Sequence, residues 1–248
     1  MVGRIEPASN VVLLVRLGPD GRYAVHKPVA GERRLWDFPD GTLAGREVAA
    51  FLVSEAGGWD VVPRTVLRSG PYGTGSTQLW IGVPGTPLTS VAAVVPAAEV
   101  PDGWVASFSA QDEQERELTV IHESAADVRS LAVLDAVLNN SDRKGAHVAR
   151  DDAGCLWGFD HGVTCHVDPK LRTVLWGFVG ARIEPADSER LDRLLAAARV
   201  GGELRKSLSA HLTEPEVEAL IGRARRLRHT GVMPGPAPGW PSVPWPPL

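Results

Sequence analysis

Strand-forming and helix-forming residues are segregated along this chain, and that segregation restricts the fold more than any other feature. The first third carries β-branched and aliphatic runs, Val11–Leu17 and Tyr23–His26, around Pro19-Asp20-Gly21, which predicts a hairpin. A Gly- and Pro-bearing loop, 28–41, leads into LAGREVAAFLVSE (43–55). Its apolar Val48, Phe51 and Leu52 sit among good helix formers and predict a helix. Strands are expected near 61–67 and 77–83, with Gly70, Pro71, Gly73 and Gly75 marking the turn between them. From Pro84 to Gly103 the composition shifts to Pro, Ala, Gly and Thr and reads as a linker. Beyond it, Ser124 is positioned to cap a helix to Leu138 with Val128, Leu131, Leu134 and Leu138 on one stripe. Helices are expected at 188–200 and from a Thr213/Glu216 capping box to about Arg228. The expectation is therefore α+β with two lobes. Residues 1–83 form a small N-lobe of antiparallel sheet plus one helix, 84–103 a hinge, 104–232 a mainly helical C-lobe, and 233–248 an extended Pro-rich tail.

Charge and cysteine usage narrow the function classes. The net charge is −4, and the one basic run, Arg223, Arg225, Arg226 and Arg228, falls within a predicted helix and reads as a solvated face. Nucleic acid is not an expected partner. Cys155 and Cys165, ten positions apart, match no metal-ligand spacing. Their spacing permits a disulfide, but reduced thiols in a cytoplasmic protein are the simpler reading. The opening MVGRIEPASNVVLLVRLG has a short apolar run interrupted by Arg16 and no small-residue cleavage site, so neither a signal peptide nor a membrane span is expected.

The charges that carry chemistry are spread along the chain but ordered. Lys27 ends the predicted strand YAVHKP, and Glu47 lies within the helix that follows. The polar loop LNNSDRKGAHV holds Asp142, and the short hairpin after it (148–150, turn 151–154, 155–159) ends at Asp160 in GFDHG. Folding that hairpin back brings the two carboxylates together. A Lys for phosphates, a helical Glu to hold it, an Asp for the nucleophile's proton and an Asp for metal are what phosphoryl transfer requires, in kinase order.

On these residues the chain resembles the phosphatidylinositol 3-/4-kinase superfamily, most closely the type II phosphatidylinositol 4-kinases and bacterial relatives of them. The resemblance spans about residues 5–165. It rests on Asp142-Arg143, on Asp160-His161-Gly162 as the Asp-x-Gly metal motif, on Lys27-Pro28, and on the helix REVAAFLVSE with WDVVPRTVL after it. It implies a protein-kinase-like fold with a reduced C-lobe, ATP as the nucleotide, and Mg²⁺ or Mn²⁺. It also implies Asp142, Lys27 and Glu47 as catalytic residues and His147 with Asp160 as metal ligands; His147 stands where the superfamily has Asn, five positions after the Asp. Ser9 and Asn10 fall at the phosphate-covering loop, and Gln78, Leu79, Trp80 and Ile81 at the adenine hinge.

The implied function is an ATP-dependent phosphotransferase acting on a protein Ser/Thr or a lipid acceptor. Two alternatives stand beside it: a nucleotide-binding pseudokinase with a regulatory or scaffolding role, whose Pro-rich tail docks a partner, and an AMP transferase on the same fold. A separate metal site at His161, His166, Asp160 and Asp168 is the weaker reading of those residues, and the long loop Gly31–Gly41 (GERRLWDFPDG) reads as a flap.

Overall fold

The structure is a computed structural model and describes residues 2–5, 10–18, 21–33, 35–38, 42–97 and 99–248. The first sheet is antiparallel. Its strands are β1 (Gly3–Arg4), β2 (Leu13–Leu17), β3 (Arg22–Pro28), β4 (Thr65–Gly70) and β5 (Gly73–Leu79), in the order β1-β2-β3-β5-β4. Helix α1 (Leu43–Gly57) interrupts the strand sequence after β3 and packs against β4 and β5. The predicted hairpin is β2–β3, with Pro19 and Asp20 of its turn outside the described residues. The second pair of strands is displaced from expectation. Of the residues read as a turn, Gly70 ends β4 and Gly73 and Gly75 lie within β5, and the tight connection is Pro71–Tyr72. Gly75 is needed where strands approach, because a Cβ there would fall 2.2 Å from the Lys27 carbonyl oxygen.

Residues 84–103, expected as a linker, contain β6 (Thr89–Ser90) and β7 (Ala92–Pro96). The SVAAVVP run supplies β-branched residues, and Pro96 is tolerated because β7 is an edge strand. β8 (Trp104–Gln111) and β9 (Glu117–Glu123), to which no element was assigned from sequence, complete a sheet of order β7-β9-β8. The C-terminal region therefore contributes its own strands as well as helices. Ser124 does not cap α2 (Ala126–Leu138); its hydroxyl donates to the Gly103 carbonyl at 2.9 Å, tying the helix entry to the sheet. The predicted stripe holds, with Val128, Leu131, Leu134 and Leu138 all fully buried.

After α2 come the short hairpin strands β10 (Val148–Arg150) and β11 (Leu156–Gly158), then α3 (Pro185–Ala197), α4 (Glu203–Ser209) and α5 (Glu214–Thr230). Pro185 in the first turn starts α3 earlier than expected. The Thr213/Glu216 capping box opens α5, with Glu216 Oε2 accepting from the Thr213 amide at 2.9 Å. Helices α1, α2, α3 and α5 enclose the main core, in which Leu131, Leu134, Leu191, Leu208 and Leu220 are sealed from solvent. The Pro-rich tail has no regular structure, but it folds onto the body: Ser242 O accepts from Trp176 Nε1 at 2.7 Å, and Pro247 O from the Gly145 amide at 2.8 Å. Among the described residues no helix is long and apolar enough to cross a membrane.

Candidate active site

Helix α1 is fixed along its whole length, which determines where Glu47 points. Thr42 Oγ1 accepts from the Gly45 amide at 2.9 Å, and Glu32 accepts from the Leu43 and Ala44 amides at 3.0 and 2.8 Å. In its middle, the fully buried Arg46 pairs with Glu216 of α5 and donates to Thr164 O at 2.8 Å. At its C-terminus, Arg193 and Arg190 of α3 cap the Gly57 and Gly58 carbonyls at 3.0 and 3.1 Å. Glu47 thus reaches Lys27 on β3 and ion-pairs with it, while its second oxygen accepts from the His161 amide at 3.1 Å.

Lys27 is shared: its Nζ also lies 2.8 Å from Asp160 Oδ1. Burial disfavours the ammonium, but Asp160 and Glu47 together outweigh it and hold its pKa above the usual lysine range. Lys27 in turn holds the Asp160 carboxyl far below the usual carboxylate range. Asp160 has a φ of 52°, a left-handed conformation that a short polar residue tolerates. Burial pushes the Glu47 carboxyl up, opposed by Lys27.

The other oxygen of Asp160 faces His147, with Nε2 to Oδ2 at 3.5 Å. His147 Nδ1 lies 3.0 Å from the Asp142 carbonyl, which can only accept, so the proton is on Nδ1 and the Nε2 lone pair is directed at Asp160. Burial lowers the His147 pKa and favours this neutral form. Two ligands about 2.1 Å from one ion and 3.5 Å apart subtend about 110°, so the pair suits a shared divalent cation. Among the described residues no group of three or more His, Cys, Asp or Glu could close a site around an ion. A divalent cation held by this pair would take its remaining ligands from outside the protein. His161 and His166 do not join it: the first is buried against Arg143, and the second accepts from the Asp168 amide at 2.9 Å.

Asp142 sits at the mouth of the same loop, its carboxylate 3.5 Å from Lys144 Nζ. Burial raises its pKa, opposed by Lys144. Its neighbour Arg143, which the sequence reading left without a role, is wholly buried and organises the loop. It donates to both oxygens of Asp135 at 2.7 and 2.9 Å, to the His147 and Phe159 carbonyls at 2.9 and 2.8 Å, and to His161 Nε2 at 2.8 Å. One side chain thus joins the loop carrying Asp142 and His147 to the loop carrying Asp160. A signal existed: an Asp inside the apolar helical run LAVLDAVL has to find a buried cation.

The remaining expected positions are not gathered here. Ser9 lies outside the described residues, and Asn10 Oδ1 accepts from the Arg33 amide at 2.7 Å. Gln78 Nε2 donates to Thr65 at 2.8 Å, and the Leu79 and Trp80 amides donate to Arg64 O and Tyr23 O at 2.9 and 3.0 Å. Among the described residues none of Gln78, Leu79, Trp80 and Ile81 is hydrogen-bonded to the Lys27–Asp160 group. Ser76 is the register partner of Lys27, so Leu79 lies about 10 Å along β5 from it.

No family model matches the chain. Its fold is similar to the crystal structure of the Golgi casein kinase, with a TM-score of 0.54 over 92% of this chain and 70% of that one at 13% identity. That likeness is one of fold, and it makes the two-lobed α+β architecture kinase-like. In sequence the chain is 41% identical over 256 residues, 99% of this chain and 91% of the relative, to Protein Rv2133c of Mycobacterium tuberculosis, and it belongs to the family of that protein.

Proposed function

We propose that the chain is an ATP-dependent phosphotransferase of the phosphatidylinositol 3-/4-kinase-like superfamily. The observation that carries the reading is Lys27 held between Glu47 and Asp160 Oδ1 while Asp160 Oδ2 and His147 Nε2 form an open edge beside it. The motifs Asp142-Arg143 and Asp160-His161-Gly162 support the superfamily assignment. The nucleotide lies between an N-lobe ending near residue 83 and a C-lobe starting near 104. Adenine is near Gln78–Ile81, and the triphosphate runs the roughly 10 Å back to Lys27. Since the Leu79 and Trp80 amides are engaged in the sheet, the donors to adenine lie at Ile81 and beyond. Asn10 borders the phosphates.

Each charged group has one task. Lys27 neutralises phosphate oxygens, and Glu47 keeps it on the β3 side of the cleft. Asp142, its carboxyl raised by burial, takes the proton of the acceptor hydroxyl as that oxygen attacks the γ-phosphorus and ADP departs. Mg²⁺ or Mn²⁺ at His147 and Asp160 supplies charge neutralisation of the phosphates when bound. The acceptor is a protein Ser/Thr or a lipid headgroup. The cysteine usage of the sequence suits a reduced, cytoplasmic setting.

The test is transfer of label from γ- and, separately, α-labelled ATP in Mg²⁺ and in Mn²⁺. The expectation is γ-label transfer that Asp142→Ala and Asp160→Ala each abolish with the fold intact. Equal turnover by both variants sinks the assignment. Transfer only from the α position makes the protein an AMP transferase, and saturable binding without turnover makes it a pseudokinase.

A further inference from the structure

The tail spans two parts of the molecule that the candidate site needs in register. Between β3 and α1, residues 35–38 turn toward Lys170, which is almost completely buried. Its Nζ lies 3.1 Å from Asp37 Oδ2 and 5.7 and 5.3 Å from the ring centroids of Trp36 and Phe38. The tail closes this cage: Trp240 lies 4.4 Å from the same Nζ and 6.5 Å from Trp36, centroid to centroid. The desolvated ammonium is held by one carboxylate and by the Phe38 and Trp240 rings, with the largely exposed Trp36 ring at the outer edge.

Lys170 is also joined to the loop that carries Asp142. Its amide donates to Asn139 Oδ1 at 2.9 Å, and the chain from it runs beside that loop, with Arg172 donating to Asn140 O and Arg143 to Arg172 O. Ser242 of the tail accepts from the Thr173 amide at 3.2 Å. Farther on, Pro247 O accepts from Gly145, the first residue of the 3-10 turn that ends at His147. A Cβ on Gly145 would fall 2.3 Å from Leu248 Cδ2, so the tail lies directly against the turn.

We propose that residues 240–248 are a strap that sets the N-lobe loop 35–38 and the metal-binding turn 145–147 together, with Trp240 and Pro247-Leu248 as its two fastenings. It is a positioning device: Trp240 holds Lys170 and Asp37 in place, and the far end holds the backbone that aims His147. The functional part of the inference rests on the phosphotransferase reading, whereas the mechanical part does not. Coupling through one element works in both directions, so loosening either end loosens the other.

The experiment is amide hydrogen exchange on the full chain, metal-free, as wild type, Trp240→Ala, Trp240→Phe and Gly145→Ala, followed by Mn²⁺ titration of each in the presence of ATP. Trp240→Ala is expected to speed exchange about tenfold or more both at the Phe38 amide, which donates to Leu35 O, and at 145–148, and Trp240→Phe to restore protection. Gly145→Ala, acting at the other end, is expected to speed exchange at Phe38. Mn²⁺ affinity falls several-fold in Trp240→Ala and returns in Trp240→Phe. Faster exchange confined to the mutated end overturns the strap, and unchanged or tighter Mn²⁺ binding in Trp240→Ala overturns the positioning role. If wild type binds no Mn²⁺, the phosphotransferase reading fails while the exchange data still decide the strap.

Discussion

Arg143→Met isolates the device that joins the two loops of the site. Arg143 and Asp135 are both essentially free of solvent, at 0% and 1% side-chain exposure, so their attraction is not screened. Removing the guanidinium leaves the Asp135 carboxylate buried with the Asn140 Nδ2 donor alone, and it strands the His147 and Phe159 carbonyls and His161 Nε2. Breaking a buried pair from one side costs about 3–5 kcal/mol, which in a domain of this size lowers Tm by about 6–20 °C. Removing both partners, as Asp135→Leu with Arg143→Met, leaves no unpaired charge. The double variant should therefore be more stable than the sum of the singles implies, by about 2 kcal/mol or more. Urea unfolding followed by tryptophan fluorescence measures all four corners of the cycle. Additive singles, or an Arg143→Met variant within about 0.5 kcal/mol of wild type, refute the argument.

Three further outcomes follow from the same geometry. Lys27→Met leaves Glu47 buried without its cation and is expected to weaken nucleotide binding at least tenfold with the fold retained; wild-type affinity by calorimetry contradicts the role given to Lys27. His161 is fully buried with a pKa held well below the usual value by burial and by Arg143, so the unfolded chain binds its proton first. Its contribution to stability is complete above about pH 6.5 and falls as pH drops through that value, by roughly 1 kcal/mol between pH 7 and 5.5. That portion of the acid sensitivity should disappear in His161→Asn, as read from urea midpoints at the two pH values. Gly75→Ala would drive a Cβ into the Lys27 carbonyl across the β3–β5 ladder; a thermal midpoint equal to wild type would show that the strands part without cost.

What was legible in the sequence was local. Lys27 on a strand, Glu47 in a helix and the Asp142 and Asp160 loops each had patterns within a few residues, and the Thr213/Glu216 box announced the start of α5. The misreadings were local patterns overruled by distant partners. Gly73 and Gly75 were read as turn because glycine marks turns, whereas Gly75 is required by the approach of β3, nearly fifty residues earlier in the chain. The stretch 84–103 carried linker composition, yet it pairs with strands beyond it, and edge strands tolerate Pro. Ser124 offered a cap, but the sheet took its hydroxyl.

The sequence by itself determined which residue types were available and in what order, because helix and strand periods and turn chemistry act over a few positions. It sufficed to expect an α+β chain with a Lys, a Glu and two Asp in kinase order. Only the tertiary structure decided which oxygen of Asp160 meets Lys27 and which meets His147, on which nitrogen His147 carries its proton, and that Arg143 binds Asp135. It likewise decided that a tail with no secondary structure closes over Lys170 and Gly145. Those choices depend on which groups, far apart in the chain, share a buried space in which every polar atom needs a partner.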